Sequence, residues 1–332
     1  TCQPSKTSRD CTFTSRPPRI TRSAGARPAA TATSAAALSA QDVRKCSIPE
    51  NPTNFDQLQA LIDWNSLANR ANVTRMTKTL LSIGHGFSAR ALAPLLLKRG
   101  WRITGTTRSA EKAAALQSEG VTPLIWPGNH LPISEATHLL TSVAPGKDGD
   151  PLLNEAAQAL KDAKHLEWVG YLSTTGVYGD HGGGWVNEHA SLTPATKRGQ
   201  ARVEAEAAWA QLGLPLHIFR LAGIYGPGRG PFAKVRAGTA RRIIKKGQVF
   251  SRTHVEDIAQ VVLASIDRPN PGAAYNVCDD NPAPPQDVIA YAADLLGLPV
   301  PPEIAFEDAD MTPMARSFYS DSKKVRNDRI KD

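Results

Sequence analysis

Residues 79–92, TLLSIGHGFSARAL, decide how this chain folds. A short apolar run breaks at Gly84-His85-Gly86-Phe87-Ser88-Ala89, and the residues beyond it space their apolar side chains as a helix does. Strand, tight turn and helix in that order are the setting in which Gly84-x-Gly86-x-x-Ala89 reads as a dinucleotide fingerprint. The first glycine makes the turn, the second lets backbone approach a pyrophosphate, and the third small residue lets helix and strand pack closely. The N–H groups of Phe87, Ser88 and Ala89, with the positive end of the helix, would then face the phosphates. Glycines at a strand-to-helix turn also suit an ordinary chain reversal, so the surrounding pattern must decide.

That pattern is alternation. Short, nearly continuous apolar or β-branched runs stand at 79–84, 102–108, 121–126, 138–143, 166–174, 214–221 and 273–277. Between most of them lie segments with apolar residues at three and four, at 88–100, 109–120, 152–163 and 197–213. Runs of the first kind suit strands buried on both faces, and the order predicts an α/β chain with a doubly wound parallel sheet of Rossmann type. Residues 229–253 and 277–332 depart from the alternation, being rich in basic residues or proline, and suit a small C-terminal lobe set over the strand ends. The closing SDSKKVRNDRIKD, 320–332, reads as the opening of a last helix.

The formal charge of +8 divides unevenly. Of 39 Lys/Arg and 31 Asp/Glu, ten and five fall in residues 1–75, which leaves only about +3 for the rest and gives no reason to expect a nucleic-acid partner. Residues 1–75 are rich in Ser, Thr, Ala, Pro and Arg, with few acids early on, and are expected to be disordered, a targeting segment or an upstream extension, since Met76 stands just before the first strand. The nucleotide-binding domain is then 76–332. Cys2, Cys11 and Cys46 lie in the first segment and only Cys278 beyond it, so the domain has no disulfide framework and a reducing compartment suits it. The cytoplasm is the expected location, or an organelle stroma or matrix if 1–75 is a transit peptide. No apolar run approaches the roughly 20 residues that cross a bilayer. His181, Glu188 and His189 in DHGGGWVNEH lack ligand spacing on a regular element, so no metal is expected, and this stretch reads as a glycine-rich loop over the site. His85 is expected to point outward or to touch cofactor.

The end of the second strand separates two cofactors. NAD sites usually place Asp or Glu there for the ribose hydroxyls, whereas this chain has Thr107, Arg108 and Ser109. Arg108 fits a 2′-phosphate, and Arg90 beside Ala89 offers a second charge. The expectation is NADP, with NAD as the other option.

Four later motifs carry a family resemblance: YLSTTGVYGD (171–180), FRLAGIYGPGRGP (219–231), RTHVEDIAQVV (252–262) and AAYNVCDD (273–280). In this order they resemble the extended short-chain dehydrogenase/reductase superfamily, the NAD-dependent epimerase/dehydratase family, over about 79–330. The resemblance implies a Rossmann domain with a small substrate lobe, Ser142 and Val143 bordering the cofactor, Thr174 as the Ser/Thr that bonds the substrate's reacting oxygen, and His254, Glu256 and Asp257 near the site. Relatives that dimerise do so through two helices, so a homodimer is one assembly open to this chain.

One family feature is absent. The aligned segment PATKRGQARVEAE, 194–206, puts Arg198 at the tyrosine and Arg202 at the lysine of Tyr-x-x-x-Lys, and arginine cannot shuttle a proton. Arg202 remains able to hold ribose or phosphate, and Tyr178 is a substitute acid. The chain thus resembles atypical members of the superfamily. One reading is an NADP-dependent oxidoreductase or epimerase acting on an anionic small molecule, sugar-nucleotide-like or phosphorylated, held by Arg229, Arg236, Arg252 and His254 within a basic stretch that includes Lys234, Arg241, Arg242, Lys245 and Lys246. The other is a catalytically impaired NADP(H)-binding sensor or regulator.

Overall fold

The computed structural model describes residues 77–331, so the expectations for residues 1–75 lie outside the described residues. The chain runs β1 (Thr79–Ile83), α1 (Phe87–Leu97), β2 (Arg102–Thr107), α2 (Ala110–Ser118), β3 (Thr122–Ile125), β4 (His138–Thr141), α3 (Pro151–Asp162), β5 (Trp168–Thr174), β6 (Trp185–Val186) and α4 (Lys197–Ala210). It continues through β7 (Leu216–Leu221), β8 (Gly223–Tyr225), α5 (Pro231–Arg236), β9 (Arg242–Ile244), β10 (Arg252–His254), α6 (Val255–Asp267), β11 (Ala274–Val277), α7 (Pro285–Leu295), β12 (Glu303–Ala305), α8 (Pro313–Ser317) and β13 (Lys324–Val325).

The seven apolar runs of the sequence are the seven strands of one sheet, ordered β11-β7-β5-β4-β1-β2-β3 and parallel throughout. Leu81 of β1 lies between Thr104 of β2 and Leu139 of β4. The connections reverse direction at β1, and that reversal opens a crevice above the carboxyl ends of β1 and β4.

Both faces of the sheet are covered. On one, Leu92 and Leu96 of α1 and Ile258 and Val262 of α6 pack on Leu80, Ile103, Leu140 and Phe219. On the other, Leu152 and Leu160 of α3 and Trp209 of α4 pack on Leu81, Ile83, Val169 and Tyr171. Each such side chain contributes about 1.5–3 kcal/mol by leaving water. Asp150 joins α3 to α4: its carboxylate caps α3 by accepting from the N–H groups of Leu152 and Leu153, and also accepts from the Trp209 indole at 3.0 Å.

The small lobe has its own core of Val235, Ala240, Ile289, Ala292 and Ala293, with β9 and β12 paired beside it. Two sequence expectations need correction here. Residues 320–332 do not open a helix: Lys324 and Val325 form β13, paired with Trp185 and Val186 of β6, and a short 3-10 turn follows at Asp328–Ile330. The glycine-rich stretch 180–189 is consequently held against the closing segment, its Gly183 N–H donating to the Ser322 carbonyl at 2.9 Å. Among the described residues no helix is long and apolar enough to cross a membrane.

Candidate active site

The turn after β1 needs glycine at its first position and leaves open space at its second. Gly84 has φ +72°, the left-handed region, and a β carbon there would lie 2.8 Å from Val143 Cγ2. Its N–H donates to Thr106 Oγ1 at 2.7 Å, and its carbonyl accepts from the Ser142 hydroxyl. Ser142 and Val143, just past β4, therefore border the turn from the far side of the crevice. Gly86 caps α1 with no side chain, and a β carbon there would meet nothing closer than the Gly84 carbonyl at 3.6 Å. With no side-chain cap and no acid in the first turn of α1, the N–H groups of Phe87, Ser88 and Ala89 have no intrahelical acceptor, and the positive end of the helix is unneutralised. The third small residue, Ala89, is 2% exposed and packs helix to sheet.

The charged residues around this turn separate into free and engaged. Arg108, one residue past β2, is exposed and makes no hydrogen bond or ion pair among the described residues. Arg90 is engaged, its guanidinium held in two bonds by the Glu119 carboxylate beyond α2. His85 does not point outward: it is 6% exposed, its ring lies against Gly105, and both ring nitrogens lack a partner. Burial pulls its pKa down to about 4, so it is neutral.

Beyond the crevice a cavity of about 820 Å³ opens between the strand ends and the small lobe. Ala144 and Pro145 after β4, Thr174 at the end of β5 and Gly176 beyond it line one side, α7 and residues 311–319 another. Six cationic side chains line it, Arg198, Arg202, Lys234, Arg241, Arg252 and Lys323, against one carboxylate, Asp321, which Lys323 already pairs at 3.2 Å. Burial lowers the pKa of both Arg252 and Lys323, the cost of holding charge away from water. Apolar groups, among them Ile224, Ile243, Phe250 and Ile289, supply the rest of the surface together with hydroxyls.

The residues singled out in the sequence separate within this geometry. Thr174 lines the cavity, its Oγ1 accepting from the Gly176 N–H at 3.1 Å, which leaves its own proton free to donate. Tyr178 does not: it is fully buried, its hydroxyl donates to Asn276 at 2.7 Å and accepts from Arg220 at 3.0 Å, and burial raises its pKa. Tyr178 belongs to a buried network in which Arg220 and Glu206 pair at 2.8 Å, and its assignment as a substitute acid is corrected. Arg202 lines the cavity while donating to the Tyr171 hydroxyl and the Leu172 carbonyl, both at 2.9 Å. Arg198 reaches across to residues 311–319, its guanidinium 4.6 Å from the centre of the Phe318 ring.

Of the residues assigned to substrate, Arg252 is in the cavity and three are not. His254 is the N-cap of α6, accepting from the Glu256 N–H at 3.4 Å. Arg236 is exposed on α5, and Arg229 stands beside Phe87 at the glycine turn. The stretch 180–189 also contributes nothing to the cavity lining. Tyr225, Tyr319 and Lys323 do line it, and the sequence reading assigned them no role. Tyr225 lies within FRLAGIYGPGRGP, whereas Tyr319 and Lys323 reach the cavity only through the return of the closing segment. Among the described residues no group of His, Cys, Asp and Glu is arranged to hold a metal.

A parallel sheet reversing at β1 and a glycine turn at that reversal define a Rossmann-type fold. No protein-family model matches the chain. It is 30% identical over 241 residues to Protein YeeZ of Escherichia coli (strain K12), a match covering 68% of this chain and 86% of YeeZ. A functionally unknown conserved protein from Silicibacter pomeroyi DSS is 60% identical, with a TM-score of 0.75 over 77% of this chain and 91% of that one. A structure described as a candidate NAD-dependent epimerase/dehydratase from Methylobacillus flagellatus is 26% identical, with a TM-score of 0.58 over 77% and 90% of the two chains. More distant structures of the same fold, 16–19% identical, were solved with NAD. The chain belongs to the same family as Protein YeeZ, and it has the Rossmann-like fold of structures described as NAD-dependent epimerase/dehydratases.

Proposed function

We propose that the chain binds NADP(H) at the glycine turn and acts as an oxidoreductase or epimerase on an anionic substrate, sugar-nucleotide-like or phosphorylated, held in the cavity. The observation that carries the substrate class is the cavity's charge, six cations against one carboxylate that is already paired. Arg202 and Arg252, half-buried and without a carboxylate partner among the described residues, gain most from an anion in the cavity. The preference for NADP over NAD is supported by Arg108, a free cation where an NAD site usually has an acid.

The residues fit the dinucleotide. Gly84, Gly86 and the N–H groups of Phe87, Ser88 and Ala89 would take the pyrophosphate, Arg108 the 2′-phosphate, and Ser142 and Val143 would border the chain of atoms leading toward Thr174. When bound, the nicotinamide supplies or accepts the hydride. Thr174 donates its free proton to the substrate's reacting oxygen and so orients it. Arg202 and Arg198 hold negative charge but release no proton at working pH. Tyr225 and Tyr319, whose pKa values burial raises, stay protonated and present phenols to the cavity as donors.

A second reading, an NADP(H)-binding sensor without turnover, is favoured by the commitments of Arg198 and Arg202, the first to Ser317 and Phe318 and the second to Tyr171 and Leu172. The deciding experiment titrates the full chain with NADPH and NADH by calorimetry, then follows NADPH absorbance over a panel of sugar nucleotides and phosphorylated carbonyl compounds. Tighter binding of NADPH with consumption on any anionic compound supports the enzyme. Binding without consumption across the panel supports the sensor, and no binding of either nucleotide overturns both.

A further inference from the structure

We propose that Arg229 belongs to the cofactor site rather than the substrate site, as a clamp that closes on the pyrophosphate from the small-lobe side; this rests on the dinucleotide reading above. Residues 226–229 form a tight reversal in which the Gly226 N–H donates to the Arg229 carbonyl at 2.9 Å and the Arg229 N–H to the Gly226 carbonyl at 3.0 Å. Gly228, at φ +70°, supplies the left-handed residue that so short a turn requires.

The reversal is seated on the glycine turn. A β carbon on Gly226 would lie 3.2 Å from Phe87 Cζ and 2.7 Å from Val255 Cγ1, so backbone packs directly on the first residue of α1 and on the start of α6. This contact fixes where the Arg229 side chain begins. Its guanidinium carbon lies 5.3 Å from the centre of the Phe87 ring. That position is beside the N-terminus of α1, where three backbone N–H groups await an anion.

Arg229 is also a cation without a partner. It makes no side-chain hydrogen bond or ion pair among the described residues, while Arg90, the arginine nearest the turn in sequence, is neutralised by Glu119. A planar guanidinium held over an aromatic ring keeps its edge N–H groups free, and a bridging diphosphate offers two acceptors to such an edge. Arg236 carries the same charge on the same lobe and has no such seat.

The test compares the full-length wild-type chain with Arg229→Ala, Arg229→Lys and Arg236→Ala by calorimetry, using NADPH, ADP and adenosine 2′-monophosphate as probes. ADP carries the pyrophosphate without the nicotinamide, and adenosine 2′-monophosphate carries the 2′-phosphate without the pyrophosphate. The expected result for Arg229→Ala is a loss of about tenfold or more for NADPH and ADP and none for adenosine 2′-monophosphate, with Arg229→Lys intermediate and Arg236→Ala unchanged. Because Arg229 is exposed, thermal melting of Arg229→Ala should match wild type, which separates lost binding from lost fold. If wild type binds and Arg229→Ala binds NADPH and ADP as tightly, the clamp is wrong while the dinucleotide reading stands. If wild type binds none of the three probes, the dinucleotide reading falls and the clamp with it.

Discussion

Thr174 and Tyr178 stand four residues apart in one motif, and the fold gives them opposite surroundings. Thr174 ends β5 at the cavity with a proton to donate, while Tyr178 turns under the sheet, where Asn276 and Arg220 take both sides of its hydroxyl. Tyr178→Phe should therefore cost about 1–3 kcal/mol of stability in urea denaturation, because it strips partners from buried groups, and leave NADPH affinity unchanged. A variant as stable as wild type but impaired in turnover would return Tyr178 to the reaction. Arg108 is the converse case, an exposed side chain with no structural duty. Arg108→Ala should keep its melting temperature and lose about 10- to 100-fold in NADPH affinity with little change for NADH, read by calorimetry. The position of Arg108 just past β2 was legible in the sequence because the end of that strand is. His254 and Arg229 were not, since one is spent on a helix cap and the other is carried to Phe87 by a contact between residues about 140 apart, which no local pattern records.

At the scale of elements, the junction of β1 and α1 holds one of its two glycines in a left-handed conformation and leaves the other in extended backbone. Gly84 needs its left-handed φ and has Val143 where a methyl would go, so Gly84→Ala should lower stability by about 1–3 kcal/mol. Gly86 sits at φ −103° and ψ −154°, extended backbone that alanine adopts, with open space above it. Gly86→Ala should melt as wild type does but bind NADPH more weakly, since its methyl occupies the surface that backbone offers to the pyrophosphate. Melting curves and calorimetry on the two variants separate these effects, and equal stability for both would show that the turn is not strained at Gly84. The elements themselves were readable because strands buried on both faces become unbroken apolar runs, which is why all seven strands of the sheet stood out. The pairing of β6 with β13 was hidden: two residues per strand are too few to show a period, and the partners lie about 140 residues apart. The cavity's far wall was hidden for the same reason, being made by the segment that this pairing brings back.

For the molecule as a whole, the buried histidines set an acid limit on stability. His138 lies edge-on to Trp101 at 4.5 Å and stacks 6.3 Å from Trp168, which in turn stacks 5.5 Å from His217, a row running across the sheet. His217 is satisfied only when neutral, since its Nε2 accepts from the Asn270 N–H at 2.9 Å. Burial pulls the pKa of His85 and of His138 down from 6.5 to about 4, and that of His217 in the same direction. Between those values the unfolded chain binds protons that the folded chain refuses, so stability contributed by the neutral rings is full above pH 6.5 and falls as pH is lowered toward 4. The loss should reach about 3 kcal/mol for each fully shifted ring at the acid end. Urea denaturation across this range measures it directly. His85→Leu provides the control: leucine places no unpartnered nitrogen against Gly105 and cannot titrate, so its stability should depend less on pH than that of wild type by about one ring's share. If His85→Leu retains the full wild-type dependence, the acid sensitivity comes from elsewhere in the fold, and a neutral His85 at the glycine turn contributes nothing to it.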